Sequence, residues 1–242
     1  MGSHIGKKLK KSFKSNSLGQ IFRRRKERRK LQKWIPEDEK RLAFYSSLIP
    51  ASGLIFDIGA NLGNRTKIFS RMGTWVIAVE PQTYCYEILN SFFGRDDKVT
   101  LIKTVLDAEE GESEIFISNA HTLSSMSPKW IEAVKKSGRF SKCNWERKEN
   151  VKVTTLDRMI ELYGNPDFIK IDVEGLEDRV ISGLSKPVRL LSLEFTPEYL
   201  TPTLSSLDHL NSLGPVEFNY SIGELMVFSL EKWENINYIR NG

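Results

Sequence analysis

The stretch Leu54-Ile55-Phe56-Asp57-Ile58-Gly59-Ala60-Asn61-Leu62-Gly63-Asn64 constrains this chain more than any other. An apolar run ends in an acid and a glycine turn, and residues 65–71 then read as a helix. Strand, turn and helix in that order form the grammar of an α/β nucleotide site, where glycines let backbone approach a ligand closely. The spacing Gly59-x-x-x-Gly63 departs from the dinucleotide fingerprint G-x-G-x-x-G, which argues against a nicotinamide oxidoreductase. Asn61 stands where a middle glycine would be expected. Asparagine tolerates left-handed backbone angles, so the turn stays feasible.

A second acid follows. Residues 75–79 (Trp-Val-Ile-Ala-Val) read as the next buried strand, with Glu80-Pro81 at its end. A carboxylate in that place can accept both ribose hydroxyls of an adenosine-bearing ligand. Taken singly, Asp57 or Glu80 could equally be a helix N-cap or a surface carboxylate. Two acids that each close an apolar strand favour a ligand.

Two further motifs complete the pattern: Val153-Thr154-Thr155-Leu156-Asp157, and Asp167-Phe168-Ile169-Lys170-Ile171-Asp172-Val173-Glu174-Gly175-Leu176-Glu177. Together with Asp57-Ile58-Gly59-Ala60-Asn61 and Val79-Glu80-Pro81, they resemble the FkbM family of S-adenosylmethionine-dependent methyltransferases. The resemblance runs over about residues 54–184 and weakens toward 230. It implies a class I, Rossmann-like fold: an α/β doubly wound sheet, mostly parallel, with a C-terminal antiparallel hairpin and an inserted lid. It also implies O-methylation with S-adenosylhomocysteine as product. Asp57, Gly59, Ala60, Asn61, Gly63, Glu80, Pro81 and Asp172 become the expected cofactor residues. The acceptor expected is a hydroxyl of a sugar, glycan or secondary metabolite.

In chain order, residues 82–93 read as a helix and 99–106 as the third strand. Asp107 at its end either reads an adenine amino group or forms the turn into Glu109-Glu110-Gly111. Residues 114–118 form a short added strand. Residues 119–150 are irregular, with a helix expected over 128–136, and strands flank them. They read as an insertion over the strand ends, with Trp130 or Trp145 either walling the acceptor site or anchoring the lid to the core. Residues 168–173 give the fourth strand, 176–184 its helix and 188–195 the fifth strand. A helix over 204–213 follows. Segments 216–220 and 225–230 lie so close in sequence that a strand pair there must be antiparallel.

Methyl transfer from a sulfonium is largely a positioning task, but an alcohol must also lose its proton. Period-two alternation puts Lys170, Asp172 and Glu174 on one side of a regular strand, and the two acids fall at its carboxyl end. Asp172 is the expected base or acceptor-positioning group. Glu174 would orient the acceptor or ligand a divalent metal, Lys170 would tune the acids, and Glu194 at the end of the fifth strand would complete the cluster. The competing reading is a structural ion-pair network. Carboxylates suit a hard cation, yet His4, His121 and His209 are scattered and the sequence assigns no metal. His121, through the lid, is the one histidine in reach of catalysis, and His209 should be exposed on an outer helix.

The charge is unevenly placed. Residues 1–50 hold 15 Lys+Arg against 4 Asp+Glu, whereas the rest hold 21 against 27, so the formal net charge of +5 conceals an acidic main domain. The division expected is a basic tail over 1–35 and a methyltransferase domain over 36–242. Pro36 and the acids after it mark a helix start, with an end before Pro50. Ile5, Leu9 and Phe13 share a helical face, which permits a basic segment lying on an anionic membrane surface. Nucleic acid is the other anionic partner, and a solvated leader the third reading. Cys85 and Cys143 form no disulfide or metal pattern, and no apolar run suits a leader or a membrane span. The cytoplasm is expected, with the tail peripheral at the inner face of the membrane. Two alternatives accompany the sugar methyltransferase: an RNA methyltransferase using the basic tail, and a cofactor-binding adaptor without catalysis.

Overall fold

A computed structural model describes residues 17–138, 142–195 and 200–241. Its centre is a five-stranded parallel sheet of β1 (Leu54–Ile58), β2 (Trp75–Val79), β3 (Val99–Ile102), β7 (Phe168–Ile171) and β8 (Leu191–Leu193), in the order β3-β2-β1-β7-β8. The strands are mostly apolar because both faces are covered, with Asp57 in β1 and Lys170 in β7 as the charged exceptions. On one face Ile55, Val76, Ala78 and Phe168 meet α2 (Pro36–Leu48), α3 (Asn64–Arg71) and α4 (Thr83–Phe93) through Tyr45, Ile68, Phe69, Leu89 and Phe93. On the other, Phe56, Ile58, Ile77, Val79, Ile169 and Ile171 meet α6 (Leu156–Tyr163), α7 (Glu177–Ser182) and α8 (Leu200–Leu213) through Leu156, Met159, Val180, Ile181 and Leu210. The chain runs outward from β1 to β3 and resumes at β7 on the other side. The carboxyl ends of β1 and β7 therefore flank the switch point where such sheets hold ligands.

Several helices begin within a residue of where the sequence reading puts them, but α8 opens at Leu200 rather than 204, and the sequence reading gives no helix where α6 forms. Pro36 opens α2, and the Asp38 carboxylate accepts from the Ile35 amide at 3.1 Å. Asp38 also pairs with Arg41 and with Lys67 of α3, which ties α2 to α3. The helix preceding α2, α1 (Ser17–Gln32), packs on α4, and Leu31 enters the core.

Three expectations change. The third strand divides: β3 stays in the main sheet, while β4 (Val105–Leu106) joins a second sheet, ordered β4-β6-β5, with β5 (Gly111–Ile117) and β6 (Arg147–Thr154) antiparallel. The insertion, with α5 (Pro128–Lys136), therefore springs from the hairpin of β5 and β6. Second, 216–220 and 225–230 form no strands. Phe218 makes one bridge to Glu234, and the Asn219 side chain occupies the amide and carbonyl of Leu230 at 3.1 and 3.0 Å, displacing a backbone ladder. Third, His209 is half-buried, with Nε2 2.8 Å from the Leu184 carbonyl. His4 and the face made by Ile5, Leu9 and Phe13 lie outside the described residues. The last short helix is α9 (Ile236–Asn241), and no helix among the described residues is long and apolar enough to cross a membrane.

Candidate active site

A cleft of about 310 Å³ opens over the carboxyl ends of β1, β2 and β7. Its wall includes Gly59, Ala60 and Asn61 after β1, Glu80 and Pro81 after β2, and Lys170, Asp172 and Glu174 at the end of β7. Glu194, which continues β8 by donating its amide to the Ile171 carbonyl at 3.0 Å, joins them.

Glu80 is 2% exposed, and each carboxylate oxygen accepts a backbone amide at 2.8 Å: Oε2 from Asn61, Oε1 from Gln82. Burial pushes its pKa up to about 7 although both amides pull it down. Each oxygen keeps a second lone pair, so the group fits a donor-rich ligand such as a ribose diol. Asn61 holds φ 53, as the sequence expects of this turn, and its amide reaches Glu80 because of it.

The turn glycines also have close neighbours within the protein. A Cβ on Gly59 would stand 1.9 Å from the Asp172 carbonyl oxygen, and one on Gly63 2.7 Å from Leu89 and 2.8 Å from Phe93. Both turn glycines thus fit the loop to its own protein: Gly59 to the acid-bearing end of β7, Gly63 to α4. Gly63 caps α3 at φ 94 and lies outside the cleft wall.

Two acids expected to hold the cofactor are likewise not on the wall. Asp57 is fully buried; Oδ2 accepts from Thr66 at 2.6 Å and Oδ1 lies 3.5 Å from the Lys170 ammonium, its register partner on β7. It acts as the inner counter-ion of Lys170. Asp107 is not among the residues of the cleft wall; it binds Arg179 at 2.6 Å and accepts from the Ala108 amide.

The reactive end is a carboxylate trio around one cation. Lys170, 8% exposed, lies 3.1 Å from Asp172, and although burial lowers its pKa, Asp172 and Asp57 raise it above the ordinary lysine value. Burial raises Asp172, but Lys170 and a hydrogen bond with Glu194 outweigh it and hold Asp172 below the usual carboxylate range. Burial and the neighbouring carboxylates push Glu174 up to about 9 and Glu194 to about 8. The cluster therefore favours ionisation of Asp172 and opposes that of its two neighbours. Asp172, Glu174 and Glu194 each offer an oxygen, all within 4.8 Å of one another, a donor set that a hard cation accepts.

The insertion lies over this cleft and supplies His121, Thr122, Ser124, Ser125 and Met126. Gln82 bolts it down, donating to the His121 carbonyl at 2.9 Å and accepting from Ser124 Oγ at 2.8 Å, while Asn61 Nδ2 reaches the same carbonyl at 3.2 Å. Ser125 Oγ donates to the carbonyl of Glu174 at 2.6 Å. Neither tryptophan faces the cleft. Trp130 is 1% exposed against Gly175, and Trp145 Nε1 donates to the Leu123 carbonyl at 2.6 Å, so both anchor the lid. The sequence reading also missed Arg65 of α3 and Glu224 of the C-terminal loop, which line the cleft and pair at 2.7 Å. No periodicity or motif marks Gln82, Ser124, Ser125 or Glu224; only Gln82 is signalled, by its place beside Glu80-Pro81.

No curated protein is significantly similar to the chain. Among solved structures, the precorrin-6y C5,15-methyltransferase of Geobacter metallireducens GS-15 is similar at 16% identity and a TM-score of 0.39, over 84% of this chain and 86% of that chain, a likeness too distant to bear on the site. The profile of the methyltransferase FkbM domain matches residues 57–212, which span β1 to α8 and hold the strand-end acids of the cleft. The chain thus belongs to the family defined by the methyltransferase FkbM domain.

Proposed function

We propose that the chain uses S-adenosylmethionine to methylate a hydroxyl of a sugar, glycan or secondary metabolite. The observation that carries this reading is the pairing, in one cleft, of a buried carboxylate with free lone pairs, Glu80, and a second carboxylate, Asp172, held by its own cation. When bound, the sulfonium supplies an already activated methyl group. Glu80 would hold the ribose hydroxyls, and the backbone of Gly59, Ala60 and Asn61 would flank the nucleoside. Ile58, Val79, Leu106 and Ile115 supply apolar wall.

Asp172 orients the acceptor hydroxyl and takes its proton on an Oδ atom. Its low pKa is no obstacle, because a hydroxyl loses basicity steeply as its oxygen gains a methyl group, so a weak base suffices late in the transfer. Lys170 fixes the Asp172 rotamer. The protons on Glu174 and Glu194 stop the trio from carrying three negative charges, and leave donors to orient the acceptor. The lid segment that Gln82 secures excludes water from the cleft.

The test begins with calorimetry of S-adenosylmethionine and S-adenosylhomocysteine, then measures S-adenosylhomocysteine release against a panel of sugars, glycans and hydroxylated metabolites. Binding followed by release with a hydroxylated acceptor supports the proposal. Failure to bind either nucleoside, or binding of a nicotinamide dinucleotide instead, overturns it. Binding without turnover on any acceptor, with or without added Mg²⁺, points to the adaptor reading.

A further inference from the structure

We propose that α1 and the shallow pocket at its carboxyl end form a docking surface for an anionic phospholipid bilayer. The helix Ser17–Gln32 carries seven Arg and Lys against one Glu. Its inner face is spent on the fold: Arg24 pairs with Glu87 of α4, Arg23 lies over the Tyr84 ring at 5.1 Å and Leu31 enters the core, while exposed Lys30 pairs with Glu27 within the helix. The outer face is not. Arg25, Lys26, Arg28 and Arg29 are exposed, and among the described residues none of them has an ion-pair partner. Lys33 extends the row.

Charge alone would suit any polyanion, and the apolar groups decide between them. Ile21 and Phe22 are 45% and 59% exposed at one end of the basic row, Trp34 and Ile35 37% and 43% at the other. Beneath the second end, Leu31, Trp34, Phe92 and Phe93 wall a pocket of about 340 Å³ with Lys67 and Arg71 on its rim. Apolar side chains flanking cations match a bilayer interface, where phosphates lie above acyl chains. A single-stranded nucleic acid needs open ring faces for its bases. Here Lys67 and Arg71 cover the Trp34 ring at 5.4 and 5.9 Å, Arg23 covers Tyr84, and Ile21 and Ile35 have no ring to offer, so Phe22 alone among these groups leaves a ring open, too few for a run of stacked bases.

Co-sedimentation of the full chain with vesicles tests this. Vesicles of phosphatidylcholine with phosphatidylglycerol should pellet the protein, phosphatidylcholine alone should not, and added salt should release it. Each basic residue at such a surface contributes about fivefold, so Arg25→Gln with Lys26→Gln and Arg29→Gln should weaken partitioning on the order of a hundredfold. Nothing in the cleft changes, so S-adenosylhomocysteine affinity should stay as it is, whether or not the proposed methyl transfer is right. Phe22→Ser, a single exposed substitution, should weaken vesicle binding without altering the melting temperature, and covers the case in which the triple variant folds poorly. Equal pelleting with neutral vesicles, undiminished binding by both variants, or capture of an RNA oligonucleotide in preference to anionic vesicles would overturn the proposal.

Discussion

Replacing Glu80 by glutamine separates the cost of holding that carboxylate from its use. A pKa raised from 4.5 to about 7 means that ionising Glu80 costs about 3 kcal/mol more in the fold than in the unfolded chain. The sign follows from the direction. Below about pH 4.5 both states hold the proton and the cost is absent; it grows as pH rises and is complete above about 7. Glutamine removes this cost, but its NH₂ cannot accept from both the Asn61 and Gln82 amides, and one lost bond costs about 1–2 kcal/mol at every pH. Glu80→Gln should therefore be about 1–2 kcal/mol more stable than the parent at pH 8 and less stable by a similar amount below pH 4.5, with the curves crossing in between.

Urea denaturation of both proteins across pH 4.5 to 8 reads this directly. Calorimetry on the same samples should show S-adenosylhomocysteine affinity falling by about tenfold or more at pH 8, because a charge-assisted pair of hydroxyl contacts becomes a neutral one. Stability curves that run parallel would show that burial does not strain Glu80. A stabilised variant with undiminished affinity would show that Glu80 does not hold the ribose. Either result breaks the chain of reasoning at a different link.

Further expectations concern the reactive end and the lid. Asp172→Asn should leave S-adenosylhomocysteine binding within a few-fold and reduce turnover by about 10²–10⁴-fold; with Asp172 as base the pH–rate profile of the parent should be flat from about pH 5 to 7 and fall as Glu174 and Glu194 lose their orienting protons above that, whereas a rate that climbs through 8–9 would transfer the role to Glu174 or Glu194. Lys170→Met removes the one cation between buried Asp57 and Asp172 and should cost about 3–5 kcal/mol in urea denaturation at pH 7. Gly175→Ala places a Cβ 2.3 Å from the Trp130 ring at a φ of +91, so limited proteolysis should cut near α5 much faster than in the parent, while Gly111→Ala, with nothing within 4 Å, should not change the digest.

What the sequence revealed and what it hid divide along one physical line. Strand-end acids are legible, because an apolar run that stops at a carboxylate fixes where the side chain emerges: Glu80, Asp172, Glu174 and Glu194 all reach the cleft. Asp57 obeys the same rule and still turns inward, since the register of β1 against β7 sets Lys170 opposite it, and register between strands more than a hundred residues apart leaves no local mark. Asp107 is lost in the same way to Arg179, 72 residues later. The C-terminal segment looked like a hairpin on pattern alone, but Asn219 competes for the backbone groups a ladder would use. The lid shows the limit most clearly. Gln82, Asn61, Ser124 and Ser125 bind it through side-chain and carbonyl contacts spanning 39 to 60 residues, with no period for a sequence reading to detect. Asn61 and Gln82 bond both the Glu80 carboxylate and the His121 carbonyl, so if Glu80 holds a ribose as proposed, ligand binding and lid seating would act on one set of groups.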